Sequence, residues 1–94
     1  MKITNKINDH GGGFYIKNSD DIIGELTFVF AGKNKLIADH TWVDETQKGK
    51  NLGKKLFDEL IEFSRANSIK VMATCPYVIH QLKKHRDELL DVIA

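Results

Sequence analysis

The feature that most constrains this chain is a change of hydrophobic period near its midpoint. From Ile22 to Val43 apolar and polar residues alternate, whereas from Leu52 to Phe63 apolar residues return every three or four positions. A period of two belongs to a half-buried strand and a period near 3.6 to an amphipathic helix. The alternation predicts Ile22, Leu26, Phe28 and Phe30 on one face of a strand, with Glu25 and Thr27 on the other. Ala31 to Lys35 has the length of a hairpin loop. In the strand from Leu36 to Val43, the rule puts Leu36, Ala38, His40 and Trp42 on one inward-leaning face and Ile37, Asp39, Thr41 and Val43 on the other. Leu52, Leu56, Leu60 and Phe63, with Phe57 and Ile61 beside them, then form the stripe of a helix that stops near Asn67-Ser68.

The remaining elements follow from punctuation. Gly11-Gly12-Gly13 reads as a turn before a short strand, Phe14 to Lys17, which Asn18-Ser19-Asp20-Asp21 closes. Ile69 to Thr74 reads as a buried strand that Pro76 ends, because proline has no N–H for the ladder. Tyr77 to about His85 reads as a second helix with Val78, Ile79 and Leu82 inward, and Leu89 to Ile93 as a helical turn or strand that packs down. The expected order is an antiparallel β-meander of three strands, then helix, strand, helix. A strand–helix–strand passage crosses right-handed and pairs in parallel. The expected class is a mixed α/β (α+β) sheet covered by helices, in one domain spanning residues 1–94.

Composition removes several function classes. A formal charge of +1 is unlike the basic excess of a nucleic-acid binder, so no nucleic acid is expected. The charges are unevenly spread: residues 48–55 carry four lysines and no acid, while Asp87, Glu88 and Asp91 cluster near the end. A local basic patch on a near-neutral chain suits a compact anion. The lone Cys75 excludes an internal disulfide, and His10, His40, His80 and His85 lack the spacing of a zinc site, so no metal is expected. No apolar run approaches the ~20 residues of a membrane span, and residues 1–6 have no signal-like core behind them. The expectation is a cytoplasmic monomer without a membrane partner.

The stretch Lys48-Gly49-Lys50-Asn51-Leu52-Gly53-Lys54-Lys55 lies between a strand and a helix start. First-turn N–H groups have no intrahelical partner, and the helix dipole adds about half a positive charge there. Glycine lets backbone approach a phosphate, and Asn51 tolerates a left-handed conformation. Two readings stay open on spacing alone: an anion site, or a tight turn with a solvated lysine face. The stretch is neither a Walker loop nor the dinucleotide fingerprint. Cys75 and His40 are equally double. A lone cysteine is commonly a small buried hydrophobe, but Pro76 puts this one at an element boundary, where helix amides favour thiolate. His40 is either a satisfied core histidine or a general base.

Lys48, Asn51 and Gly53, with His40-Thr41 ahead and Lys54-Lys55-Leu56 and Cys75-Pro76-Tyr77-Val78 behind, carry a family likeness. The pattern resembles the pyrophosphate loop of GCN5-related N-acetyltransferases, Arg/Gln-x-x-Gly-x-Gly/Ala. Lys48 stands at the first position and Asn51 at the middle glycine. Together these segments resemble a small acetyltransferase-like subfamily of about a hundred residues, over residues 14–93. The resemblance implies a reduced GNAT-like mixed sheet and acetyl-CoA as cosubstrate, held by Val43, Lys48, Gly49, Lys50, Asn51, Leu52, Gly53 and Lys54. It implies a pantetheine arm along the strand ending at Val43, a thioester near Cys75, which either accepts the acetyl group transiently or lines the thioester pocket, and His40 as the base for an unidentified amine or protein acceptor. Tyr77 is a weaker counterpart of the family's acid, and His80 and His85 with Lys83 and Lys84 read as a solvated face. Two departures stand out. Trp42 occupies a place where relatives commonly have an acid, and only Asn18 to Asp21 stands where larger relatives insert two acceptor helices. The functions implied are a minimal N-acetyltransferase or, alternatively, a non-catalytic acyl-CoA binding or sensing module.

Overall fold

A computed structural model describes residues 2–94. Five strands, β1 (Lys2–Ile7), β2 (Gly11–Asn18), β3 (Asp21–Phe30), β4 (Lys35–Val43) and β5 (Lys70–Ala73), form one sheet in sequence order. Two helices, α1 (Leu52–Ala66) and α2 (Pro76–Lys84), flank β5 in the chain, with 3-10 turns at Glu45–Gln47 and Arg86–Glu88. The first four strands are antiparallel and β5 runs parallel to β4, as a strand–helix–strand crossover requires. The expected mixed α/β (α+β) fold is the one observed. No helix among the described residues is long and apolar enough to cross a membrane.

Two expectations fail at the N-terminal end. The meander has four strands, because β1 pairs along β2 from Lys2↔Lys17 to Ile7↔Gly12. This edge strand is mostly exposed and leaves a weak hydrophobic pattern. The Gly11-Gly12-Gly13 run belongs to β2, and the turn lies before it at Asn8 to His10. There Asn8 Oδ1 accepts from the N–H of His10 at 2.8 Å and of Gly11 at 3.2 Å, an Asx-type turn. The glycines admit a neighbour: a Cβ on Gly13 would lie 2.6 Å from Tyr15 Oη. The first two strands are therefore joined at Asn8 to His10, and the connection through Asn18 to Asp21 is the second one.

Two register shifts set the faces. Ile16 pairs Gly24 while Lys17 pairs Ile22, so Ile23 is an extra residue in β3 and is buried in place of Ile22, which is exposed. Thr27 pairs His40 while Phe28 pairs Ala38, so Asp39 is an extra residue in β4. Because the side-chain period is two, one added residue reverses every later position. Leu36 and Ala38 are buried, but beyond Asp39 it is Thr41 and Val43 that continue their face. His40 and Trp42 turn to the opposite face, contrary to expectation.

Leu52, Leu56, Phe57, Leu60 and Ile61 of α1 lie against Phe14, Ile16, Leu26, Phe28 and Leu36 in one core cluster. Phe14, Phe28 and Phe63 interlock with ring centroids 5.6 to 5.9 Å apart. α1 stops where the sequence predicted. Ser68 takes a left-handed φ of 55°, Ile69 N–H bonds Ser64 O at 2.9 Å and Ser68 N–H bonds Arg65 O at 3.4 Å, a Schellman closure with serine in the usual glycine place. After the 3-10 turn at Arg86–Glu88, the stretch Leu89 to Ile93 takes both expected forms: a turn in which the Leu89 carbonyl accepts from Val92 N–H at 2.9 Å and Ile93 N–H at 3.0 Å, and a parallel bridge from Ile93 to Val71.

Candidate active site

The site begins where two strands part. β5 pairs with β4 only over Lys35–Ala38, and the Ala38 carbonyl ends the pairing by accepting from the N–H of Thr74 at 3.0 Å and of Cys75 at 3.2 Å. The Asp39 bulge lies one residue further on. Beyond it, no described strand pairs with this edge of β4. Asp44 N–H bonds Ile23 O at 2.9 Å, so by alternation the polar groups of Trp42 face β3 and those of Thr41 and Val43 face the open fork. Such an edge can hydrogen-bond an extended, amide-bearing ligand as a strand would.

The fork leads to the loop before α1. Asp44 Oδ1 accepts from the Thr46 N–H and hydroxyl, both at 2.9 Å, and these bonds hold its carboxyl below the usual range. Gly49 has φ 86°, and Asn51 has φ 60° and ψ 33°, the left-handed conformation its residue type tolerates. In that conformation the Asn51 side chain makes no capping bond. The first-turn N–H groups of α1 therefore have no side-chain cap and open on a cavity of ≈ 350 Å³. Of the residues predicted to bind cofactor, Val43, Lys48, Gly49, Asn51, Leu52, Gly53 and Lys54 line this cavity. Lys50 does not: its Nζ donates to Gln47 Oε1 at 2.8 Å.

Three lining residues were not in the predicted set: Thr41, Gln47 and Tyr77. Thr41 reaches this face because of the bulge, which leaves no mark in the sequence. Tyr77 sits one residue past Pro76 at the start of α2, and its ring explains Gly53, where a Cβ would lie 3.0 Å from Tyr77 Cζ and Oη. Burial pushes the Tyr77 hydroxyl above its ordinary value, against smaller opposing effects of Gln81 and Lys54. Lys54 is paired with Asp58 one turn on.

Cys75 and His40 lie on different sides of β4. Cys75 is 6% exposed, precedes Pro76 at the first position of α2, and its Sγ lies 3.4 Å from Thr41 Oγ1. It therefore borders the fork through Thr41. His40 is not inward with Leu36 and Ala38: its side chain is 54% exposed on the open face, with Nε2 3.8 Å from Glu25 Oε2. The cause is the extra residue Asp39, whose Oδ1 accepts from Thr27 Oγ1 at 2.6 Å on that face. His80 is exposed, and His85 Nδ1 lies 3.9 Å from Glu88 Oε2 beside a separate cleft against α1.

The family described as GCN5-related N-acetyl-transferase matches residues 13–92. The solution structure of a GCN5-like candidate N-acetyltransferase from Staphylococcus aureus shares 32% identity, with a TM-score of 0.73, over 97% of this chain and 87% of that one. A ribosomal-protein-alanine N-acetyltransferase from Brucella melitensis biovar Abortus 2308 is 19% identical with a TM-score of 0.64, covering 93% of this chain and 66% of that one. An aminoglycoside N-acetyltransferase in complex with CoA is 16% identical with a TM-score of 0.58, covering 85% of this chain and 59% of that one. The last two likenesses concern the fold alone. No curated protein matches the chain. The match over residues 13–92, the five-stranded sheet and the likeness to the Staphylococcus aureus structure agree: the chain belongs to the GCN5-related N-acetyltransferase family.

Proposed function

We propose that this protein binds acetyl-CoA and transfers its acetyl group to an amine. The observation that carries the reading is the uncapped N-terminus of α1, opening on a lysine-bearing cavity that continues into the β4–β5 fork. A pyrophosphate at the amides of Leu52, Gly53 and Lys54 would meet backbone donors, the positive end of the helix dipole and the Lys48 ammonium. The amides of a pantetheine arm suit the free polar groups of Thr41 and Val43, and an arm lying there would bring the thioester to Thr41 and Cys75. A CoA complex of a fold relative supports this choice of ligand.

The chemistry then needs an amine nitrogen on the thioester carbonyl, with its proton removed. The nitrogen lone pair attacks, the C–N bond forms, and collapse of the tetrahedral adduct breaks the C–S bond. The leaving thiolate takes a proton from water, since the Tyr77 hydroxyl lies against Gly53 at the pyrophosphate end of the cavity. His40 accepts the amine proton from the open face, directly or through a water. Cys75 lines the thioester end. A transient acetyl-Cys75 is the alternative, and Cys75→Ala decides it, since unchanged transfer removes a thioester relay.

A second reading, an acyl-CoA binding or sensing module without turnover, is favoured by one observation. The chain joins its first two strands through Asn8 to His10, so it builds no helical acceptor wall there. Titrating acetyl-CoA, CoA and ATP while following backbone amides of Lys48 to Lys54 and of Cys75 separates the readings. The expected result is a response to acetyl-CoA and CoA, with free CoA accumulating only when an amine is present. Responses to ATP without CoA would overturn the assignment, and binding with no acetyl transfer to any amine would favour the module.

A further inference from the structure

We propose that the open face of the sheet carries a receptor for the acceptor in its protonated, alkylammonium form, built from Glu25, Trp42 and Tyr15. The proposal deepens the acetyl-transfer reading and rests on it. The strand register lines these positions up: Tyr15 pairs Glu25, and Glu25 pairs Trp42, so an acidic position stands between two aromatic ones in a single cross-strand row. The next row is Gly13, Thr27 and His40, and the glycine leaves room for the Tyr15 ring to lie over it. His40 Nε2 borders the Glu25 carboxylate at 3.8 Å, and Asp39 is held to Thr27 on the same face.

The chemistry of this surface selects its ligand. The row of Tyr15, Glu25 and Trp42 continues into β1 at Thr4 and holds no lysine or arginine, and Glu25 and the adjoining Asp39 bring negative charge; Lys6 of β1, paired with Gly13, ends the next row on the side away from Trp42. Trp42 keeps 41% of its surface exposed and stands directly across the strands from Glu25. A carboxylate with aromatic neighbours can bind an alkylammonium twice, through charge and through cation–π attraction, with the alkyl stem on the indole. An anionic acceptor would be repelled, and a neutral alcohol would gain only the apolar part.

Position agrees with chemistry. Thr41 lies between His40 and Trp42 in β4 and directs its side chain to Cys75 on the other face. A ligand on Trp42 and His40 is thus one strand thickness from the place assigned to the thioester. Beyond Ala38 the parting of β4 from β5 leaves a gap between the two faces. The donor approaches along odd-numbered residues and the acceptor along even-numbered ones.

The test uses the whole protein and three probes: 1,5-diaminopentane, a blocked Gly-Lys-Gly peptide, and 1,5-pentanediol as the uncharged counterpart. The readouts are the Trp42 indole N–H resonance and the Tyr15 and His40 ring resonances. An acetyl-CoA titration is followed separately at the amides of Leu52 to Lys54. At least one amine is expected to move the Trp42 and Tyr15 signals, with pentanediol far weaker. A response to the diamine alone indicates a small-molecule acceptor, and a response to the peptide a protein lysine. Glu25→Gln and Trp42→Ala should each weaken amine binding by about two- to fivefold, with Trp42→Phe largely restoring it and acetyl-CoA affinity unchanged. No amine response at Trp42 and Tyr15, an equal response to pentanediol, or full amine affinity in Glu25→Gln would overturn the proposal. If that happens while acetyl-CoA still moves the loop amides, the acceptor inference fails alone. Silence of the loop amides is the separate failure of the acetyl-CoA reading.

Discussion

Replacing Gly53 by alanine sets two physical effects against each other, and the sign of the outcome reports the packing at the site. Gly53 is the second residue of α1, and helix propensity alone favours alanine by up to about 1 kcal/mol. The added methyl, however, would lie 3.0 Å from Tyr77 Cζ and Oη and 3.3 Å from Cε2, inside ordinary van der Waals contact. Overpacking of this kind costs about 1–3 kcal/mol. The net expectation is a destabilisation of about 1 kcal/mol, which for a chain of this length lowers Tm by about 4–8 °C. In a Tyr77→Ala background the clash is gone and only the propensity gain remains, so the same glycine-to-alanine change should become stabilising. The assay is a four-protein double-mutant cycle in urea, followed by circular dichroism. A coupling of about 1–2 kcal/mol is expected between the two sites. Acetyl-CoA affinity should fall in Gly53→Ala, because the displaced ring enters the cavity that Gly53 and Tyr77 share. A higher Tm for Gly53→Ala in the Tyr77 protein would refute the contact as the reason for the glycine.

Two further predictions concern stability. Leu60 is fully buried at the centre of the α1–sheet contact, and Leu60→Ala should cost about 3 kcal/mol in urea unfolding, a large share of the stability of a small domain. Arg65 grips the Asp91 carboxylate through Nε at 2.9 Å and Nη2 at 3.2 Å and holds its carboxyl below the usual 3.8. A depressed folded pKa means that the contribution is present above the unfolded value and lost as pH falls through the folded one. The protection factors of the Val71 and Ala94 amides, which bond the tail to β5, should therefore fall on acidification below the ordinary carboxylate range once the pH dependence of intrinsic exchange is divided out, and Asp91→Asn should abolish that fall.

The parts of the fold legible in the sequence were those with long periodic signals. The α1 stripe gave the helix and its face, Asn67-Ser68 its end, and the strand–helix–strand order the parallel pairing of β5. Asn51 was legible because few residues tolerate the left-handed conformation it adopts. What stayed hidden were events of one residue. Ile23 and Asp39 each add a residue to a strand with no change of composition, and each reverses the alternation on which the face assignments rested. His40 and Trp42 therefore lie on the open face, and Thr41, for which the pattern gave no role, reaches the cavity. The glycine run was ambiguous for another reason. Glycine serves a turn and a close approach equally well, and only the Tyr15 ring over Gly13 separates the two.

The bulge at Asp39 also divides β4 into two lengths that answer to different demands. Residues 35–38 are locked between β3 and β5, so a substitution there is judged by the core. Residues 40–43 hang from β3 alone, with one edge and one face open. Under the proposed function, Thr41 and Val43 serve the donor while His40 and Trp42 serve the acceptor. A descendant of this chain could then exchange one amine for another by changing two side chains, leaving acetyl-CoA recognition and the core as they are.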